Sequence, residues 1–362
     1  MRTAATNVLA LAGVFAAITF VVTAPGASRT ISVRPPATVA LVGTDTRTAF
    51  MRVDPSTLEP LPGFGRVRLP PHAVFDLSED STRVAIATPR QSVIADTASG
   101  RILWRERNDG YDVSYGLYWV GRYRNALPQA VAVGESKFGY EYTTVTIRGS
   151  HGSTDTDLWP AAALRGALVL LGESSSGEGA VTYYGRGGHP TISLEDPPSG
   201  PTRVVADVAG DRIFVVYSAG TVARVDRGVT YHAVPLNGRE FDAVWAGHGQ
   251  IAVWGPDGLG TIDTRTWSTR SLAPAARGAV PTSFGLVSWH GEDGLSVYAP
   301  DGRRRLHVLK GKTVHDVSAL ARYAYVHVGS KQLAIDLKTG RIRSIRHDAT
   351  VVVPTLVAGH VS

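Results

Sequence analysis

The chain of 362 residues contains no cysteine. That excludes disulfides, cysteine-ligated zinc, a thiolate nucleophile and a lipoprotein acylation site. Charge is sparse too: 19% of residues are charged against 43% hydrophobic, the balance of a globular chain rather than a disordered one. Catalytic signatures are missing. There is no H-E-x-x-H zinc helix, no Walker loop and no G-x-S-x-G elbow, since Ser174 and Ser176 in "GESSSGEG" lack the required pair of glycines. Helical periodicity is nearly absent after residue 30. "PAAALRGALVLLG" (160–172) reads as helix or strand, and the repeat described next favours strand.

What the chain has is turns. Its 39 glycines and 21 prolines suit many short strands joined by tight connections. One stretch, "SVIADTASGRILWRE" (92–106), is an apolar run, an aspartate-led turn and a second apolar run. The plan recurs in "AFMRVDPSTLEPL" (49–61), "LGTIDTRTWSTRSL" (259–272) and "QLAIDLKTGRIRSI" (332–345), and more loosely in "ARVDRGVTYHAV" (223–234) and "SVYAPDGRRRLHVL" (296–309). In the four close copies an apolar residue precedes the aspartate and a hydroxyl stands three positions after it: Thr57, Ser99, Thr266 and Thr339. Such an aspartate accepts hydrogen bonds from amides further along the turn, and Gly100 or Gly340 supplies the positive φ on which the chain returns.

Spacing then predicts architecture. The turn aspartates fall at 54, 96, 226, 263, 301 and 336, and the last gaps are 37, 38 and 35 residues. The long gap between 96 and 226 accommodates two more units, at 140–159 and 179–194. A unit of about 40 residues holds four short strands, and a strand opening each unit is visible in "HAVFDLS" (72–78), "DVSYGLYWV" (112–120), "RVVADVA" (203–209), "FDAVWAG" (241–247) and "HDVSALA" (315–321). The first turn has only two strands before it, and the tail "TVVVPTLVAG" (350–359) has no turn of its own. The expectation is an all-β propeller of four-stranded blades over 37–362. Eight blades are favoured, with seven as the alternative, and the ring is closed by the C-terminal strand pairing with the N-terminal blade. A sandwich or two separate β domains is the competing arrangement. "LEDPPSGPT" (194–202) falls where an interblade loop is expected.

Residues 1–28 stand outside that domain, and 29–36 read as a linker. Arg2 is followed by no charge until Arg29, Val8–Val22 is apolar, and Ala24-Pro25-Gly26 offers small residues at a cleavage site. This is the pattern of a secretory signal peptide; if uncleaved, residues 4–24 are about long enough to anchor the chain in a membrane. Either outcome places the rest of the chain outside the cytoplasm, secreted or anchored, and argues against nucleic-acid partners. The net charge of +6 is scattered, densest in "GRRRLHVLKGK" (302–312), which reads as a solvated hairpin face.

"VIADTASGRILWR" and "LAIDLKTGRIRSI" resemble the repeats of PQQ-like and YVTN-type β-propellers, with their D-x-x-T-G turn and a following tryptophan. The resemblance covers most of the chain as a pattern and only these two stretches closely. It implies the propeller fold and places Trp104 where that family docks one blade on the next. Trp267 lies at the glycine position of its own turn and is not the same feature. The resemblance says little about function, because such propellers include dehydrogenases, scaffolds and binding proteins. The adjacent cysteine pair of quinone-dependent alcohol dehydrogenases is absent, as is the lipoprotein cysteine of the family's assembly scaffold.

In a propeller the first strand of each blade lines the channel, so polar residues at its start gather at one mouth. Here they are His72, Asp112, Asp242, His315 and Asp316, a set that suits a ligand or a divalent metal, or strand-capping and blade-to-blade bonding. "HGSTDTD" (151–157), "HGEDG" (290–294) and "SEDS" (78–81) read as solvated turns rather than calcium loops, and most of the seven tryptophans as core. The expected function is non-enzymatic: a monomeric binding or scaffold module for a protein or glycan partner in the cell envelope. No cofactor is expected, with calcium or PQQ as alternatives. The rival is a channel-mouth enzyme, a metal-assisted hydrolase or lactonase or a PQQ-dependent dehydrogenase.

Overall fold

The computed structural model describes residues 38–350, apart from 43–48, 71–72, 79–81, 89, 108–110, 122–128, 137–142, 148–152, 157–158, 165, 174–178, 185–189, 195–201, 227, 237–240, 321 and 346–348. Every regular element described is a strand. In chain order they are β1 (Thr38–Val42), β2 (Ala49–Val53), β3 (Arg66–Arg68), β4 (Val74–Leu77), β5 (Arg83–Ala87), β6 (Gln91–Asp96), β7 (Ile102–Arg107), β8 (Tyr111–Gly121), β9 (Gln129–Ser136), β10 (Thr143–Ile147), β11 (Ser153–Thr156), β12 (Trp159–Leu164), β13 (Ala167–Glu173), β14 (Gly179–Tyr184), β15 (Thr191–Leu194) and β16 (Thr202–Asp207). They continue as β17 (Arg212–Tyr217), β18 (Thr221–Val225), β19 (Val229–Ala233), β20 (Asp242–Gly247), β21 (Gln250–Gly255), β22 (Gly258–Asp263), β23 (Thr269–Ala273), β24 (Gly278–Thr282), β25 (Gly285–Trp289), β26 (Leu295–Tyr298), β27 (Arg304–Val308), β28 (His315–Leu320), β29 (Tyr323–Val328), β30 (Lys331–Asp336), β31 (Ile342–Ile345) and β32 (Ala349–Thr350).

Consecutive strands pair antiparallel in groups of four: β4–β7, β8–β11, β12–β15, β16–β19, β20–β23, β24–β27 and β28–β31. The remaining sheet runs β3-β2-β1-β32, with Leu41 opposite Thr350 and Val42 opposite Ala349. The first strand of each group from β4 to β24 lies against the first strand of the next. Those first strands form an inner wall, and the fold is an all-β propeller of four-stranded blades. "PAAALRGALVLLG" is indeed strand, divided between β12 and β13. The proposed linker segment falls between β15 and β16, largely outside the described residues.

Burial follows strand position. The best-covered second strand reads as an apolar run: β17 is buried from Ile213 to Tyr217. The fourth strands lie outermost; β31 is exposed at every residue except Ile345. The core sits between sheets. Val205, Phe214 and Val222 pack against Phe241, Ala243 and Ile251 of the next sheet, and Val287, Val297 and Val314 against Ala324 and Ile335. The sheet of β1–β3 packs both ways. Met51 and Val53 meet Tyr325 and Ala334, while Phe50 and Val67 meet Leu77 and Ile86.

The aspartate-led turns from Asp96 onward join the third to the fourth strand of their groups, the Asp54 turn joins β2 to β3, and four are alike. The aspartate amide donates to the carbonyl five residues on: Asp54 to Glu59 at 3.0 Å, and Asp96 to Arg101, Asp263 to Ser268 and Asp336 to Arg341 at 2.9 Å. The amide four residues on donates back to the aspartate carbonyl, from Leu58, Gly100, Trp267 and Gly340. All four of those residues have positive φ, at 55°, 72°, 59° and 72°. The carboxylate closes the turn from inside. Asp263 Oδ1, for example, accepts from the amides of Arg265 at 2.8 Å and Thr266 at 3.0 Å. Asp226 differs, because its Oδ2 accepts from Arg224 Nε and Nη2 instead.

Candidate functional site

Five side chains were expected to converge at the inner mouth. His72 lies outside the described residues. Asp112 and Asp316 are each the second residue of an innermost strand, described here by its backbone. Irregularities follow both strand starts: β8 breaks register between Asp112 and Gly116, and β28 between His315 and Ser318. A bulge of this kind re-aims side chains and is common at the rims of closed β structures.

Asp242 and His315 are described in full, and they have different surroundings. Asp242 opens β20 and is half-buried. Its Oδ1 accepts from Arg203 Nε at 2.8 Å, and Arg203 belongs to β16, the innermost strand of the preceding sheet. The Arg203 guanidinium also stands 6.0 Å from the centre of the Phe241 ring. The pair therefore ties two adjacent blades at the inner wall. His315 opens β28 and is exposed. The β24–β27 sheet stands between it and the sheet of Asp242.

The structure brings His315 together with residues the sequence did not mark. Its register partner on β29 is His327, and the partner of His327 on β30 is Gln332. The three form a row across one blade. Gln332 is 2% exposed, and both its Oε1 and the Nδ1 of His327 are buried without a hydrogen-bond partner. Buried polar atoms are normally satisfied, so these two atoms are exceptions to the bonding of the blade. The sequence signal was slight: polar His327 and Gln332 interrupt the apolar alternation of "YAYVHVGSKQLAID" (323–336). Among the described residues no group of three or more His, Cys, Asp or Glu could hold a metal ion.

Of the remaining acidic motifs "HGEDG" lies on a connection, whereas "HGSTDTD", expected as a solvated turn, is part strand. Asp293 and Glu292 are exposed in the turn after β25, where the Asp293 amide donates to the His290 carbonyl at 2.9 Å and His307 Nε2 lies 2.7 Å from the Asp293 carbonyl oxygen. "SEDS" lies mostly outside the described residues. "HGSTDTD" does so at 151–152 and 157, and Ser153–Thr156 form β11.

Trp267 corrects a reading of the turn. Lying at the glycine position, it nevertheless docks blades. Its ring stacks on His232 of the preceding blade, 3.7 Å between centroids and 11° between planes, and meets Phe214 edge-on at 6.3 Å. Burial first, and then the charge of Arg224, hold the His232 imidazole below its ordinary pKa.

No family model matches the chain, and no curated protein does. Solved structures do. The chain is similar to a crystal structure of a eukaryotic initiation factor, at 11% identity and TM-score 0.50, over 87% of this chain and 97% of that one. It is similar to the dihydro-heme d1 dehydrogenase NirN in complex with DHE, at 12% identity and TM-score 0.55, over 90% of this chain and 77% of that one. It also aligns with BamB from Moraxella catarrhalis, at 13% identity and TM-score 0.47, over 76% and 89% of the two chains. At these identities the likeness is one of fold.

Proposed function

We propose that the chain is an eight-bladed propeller of the PQQ-like and YVTN-type kind, closed by β32 on β1. In this reading it is exported, either secreted or anchored by residues 4–24, and works as a monomeric, non-enzymatic binding or scaffold module for a protein or glycan partner in the envelope. The observation that carries the reading is the use of Asp242. A carboxylate at the inner mouth is engaged by Arg203 of the adjoining blade, so it stiffens the frame that presents the connecting loops. Closure is supported by contacts on both sides of the β1–β3 sheet, including the Tyr325 hydroxyl donating to the Pro55 carbonyl at 2.7 Å. It is supported again by sequence register: the Asp54 turn joins a third strand to a fourth, as its counterparts do, only when β32 counts as the first strand of its sheet.

The test is photo-crosslinking in the native envelope from probes at the blade connections, followed by binding of the captured partner to purified chain. A partner that binds the wild type, and loses affinity when the connections are altered, supports the reading. The enzyme alternative draws on the unsatisfied His327 and Gln332 beside His315, where a metal-assisted hydrolase site or a PQQ-dependent site would sit. Thermal unfolding with calcium, with zinc and with PQQ addresses it. A rise in Tm with any of them, lost in His327→Ala, favours the enzyme over the scaffold.

A further inference from the structure

The outermost strands of the blades differ sharply in charge around the ring. β11, β15 and β19 carry no lysine or arginine, while β23 carries Arg270 and β27, next to β31's blade, carries Arg304 and Arg305. β3 carries Arg66 and Arg68, β7 carries Arg105 and Arg107 behind Arg101, and β31 carries Arg343 behind Arg341. Glu106 is the one carboxylate in those three strands. Arg66, Arg68, Arg101, Arg105, Arg341 and Arg343 are exposed. Among the described residues none of Arg66, Arg68, Arg105 or Arg341 ion-pairs with a carboxylate.

The exposed large hydrophobics gather on the same arc. Among the described residues they are Phe64, Ile102, Leu103 and Ile342, from 36% to 46% exposed. Phe64 stands at the tip of "PLPGFGR" (60–66), between β2 and β3; Ile102 and Leu103 are on β7; Ile342 is on β31. These blades adjoin. The Gly65 amide donates to the Ala98 carbonyl at 2.6 Å, joining the Phe64 hairpin to the turn before β7. Arg343 Nη1 reaches Ser56 Oγ at 3.4 Å from the other side.

We propose that this arc of the rim is a docking surface for an anionic phospholipid membrane. Arginines at the level of the headgroups pair with phosphates, and the apolar side chains between them enter the interface, Phe64 foremost because it stands on a hairpin tip. Charge complementarity favours an anionic occupant, and the interleaving of apolar side chains with arginines favours one that is apolar just beneath its charged layer. The order of the chain agrees: about 13 residues, 25–37, separate the apolar segment from β1 of the same sheet that carries Phe64. This inference goes beyond the scaffold reading and does not depend on the identity of any partner.

The absence of native cysteine makes the test direct. The full chain is prepared as Pro62→Cys, as Ser344→Cys and, on β19, an outermost strand without lysine or arginine, as Thr230→Cys, each labelled with an environment-sensitive dye. Vesicles of phosphatidylcholine alone are compared with vesicles containing phosphatidylglycerol. The expected result is a blue shift at positions 62 and 344 with phosphatidylglycerol only, no shift at 230, and loss of the shift in Arg66→Glu/Arg68→Glu with Tm unchanged. An equal shift on neutral vesicles, an equal shift at position 230, or a dye already blue-shifted without vesicles because another part of the chain covers the arc, would each overturn the proposal. A scaffold that binds its partner normally while failing this test would leave the scaffold reading standing alone.

Discussion

At the scale of single residues, the turn carboxylates do most of the local organising. Asp96 Oδ1 accepts from the Ser99 amide at 2.6 Å, the Ser99 hydroxyl at 2.7 Å and the Ala98 amide at 3.1 Å. Those bonds, the Ser99 hydroxyl foremost, hold its carboxyl below the usual aspartate value. Asp96→Ala is expected to cost about 1 kcal/mol, since the turn is exposed and water replaces part of what is lost. Chemical denaturation checks this, and an unchanged midpoint would show the turn to be held by its backbone alone. Asp336 is held more firmly: Arg322 Nε donates to its Oδ1 at 2.8 Å, chiefly accounting for a pKa of about 2, and the Lys338 amide adds to it. A carboxylate with a depressed native pKa contributes its full stability above the unfolded value near 4 and loses it as pH falls toward 2. Tm should therefore fall across that window in the wild type. Asp336→Asn should start lower and show a shallower acid limb, and identical limbs would remove the Arg322 pairing from the account. The aspartates were legible in the sequence because the chemistry of an Asx-turn needs that residue at that place. Leu58 and Trp267 were not, because neither residue type advertises the left-handed backbone it adopts here.

At the scale of elements, four of the aspartate-led turns seat on the outer strand of the preceding blade. The turn at Gly100 lies against Arg66 of β3, the turn at Gly302 against Arg270 and Leu272 of β23, the turn at Gly340 against Leu306 and Val308 of β27, and Trp267 on His232 of β19. Two different changes probe that seating. A methyl at Gly100 would stand 2.7 Å from the Arg66 carbonyl oxygen, on a backbone with φ of 72°, so Gly100→Ala is expected to destabilise by about 2 kcal/mol or more. Trp267→Gly relieves positive φ but removes the ring that bridges two blades, with an expected net loss of about 1–3 kcal/mol. Urea midpoints decide; a stabilised Trp267→Gly would mean that strain outweighs docking. Not every innermost strand was legible. β24, "GAVPT", is not among the opening strands visible in the sequence, and it holds Pro281, a residue type that disfavours strands. On an innermost strand one edge faces the channel and needs no ladder partner, so the proline is tolerated there. The mouth set was legible only as a list of strand starts: alternation shows where a strand begins, and not that Asp242 meets Arg203, 39 residues earlier in the chain.

At the scale of the molecule, the proposed closure predicts that the carboxyl end stabilises the amino end. Ending the chain after Ile345 would remove β32 and leave β1 as an open inner edge. The truncated protein should melt lower by roughly 5 °C or more and associate through that edge, seen by calorimetry and light scattering. An unchanged Tm with a monodisperse product would count against closure. Repeat spacing made the four-stranded unit legible from the turns alone, because the same local solution recurs at nearly constant intervals. The proposed docking arc was not legible in that way. Arginines of β3, β7 and β31, scattered in sequence, share one arc only because the ends of the chain are brought side by side.

The ladder between Leu41 and Thr350 joins residues about 300 positions apart. Under the proposed closure, a chain made from its amino end keeps the inner hydrogen-bonding groups of β1 unmatched until Thr350 has emerged. If the proposed closure holds, a nascent chain stalled or clipped before Thr350 carries an unpaired inner edge on its first sheet.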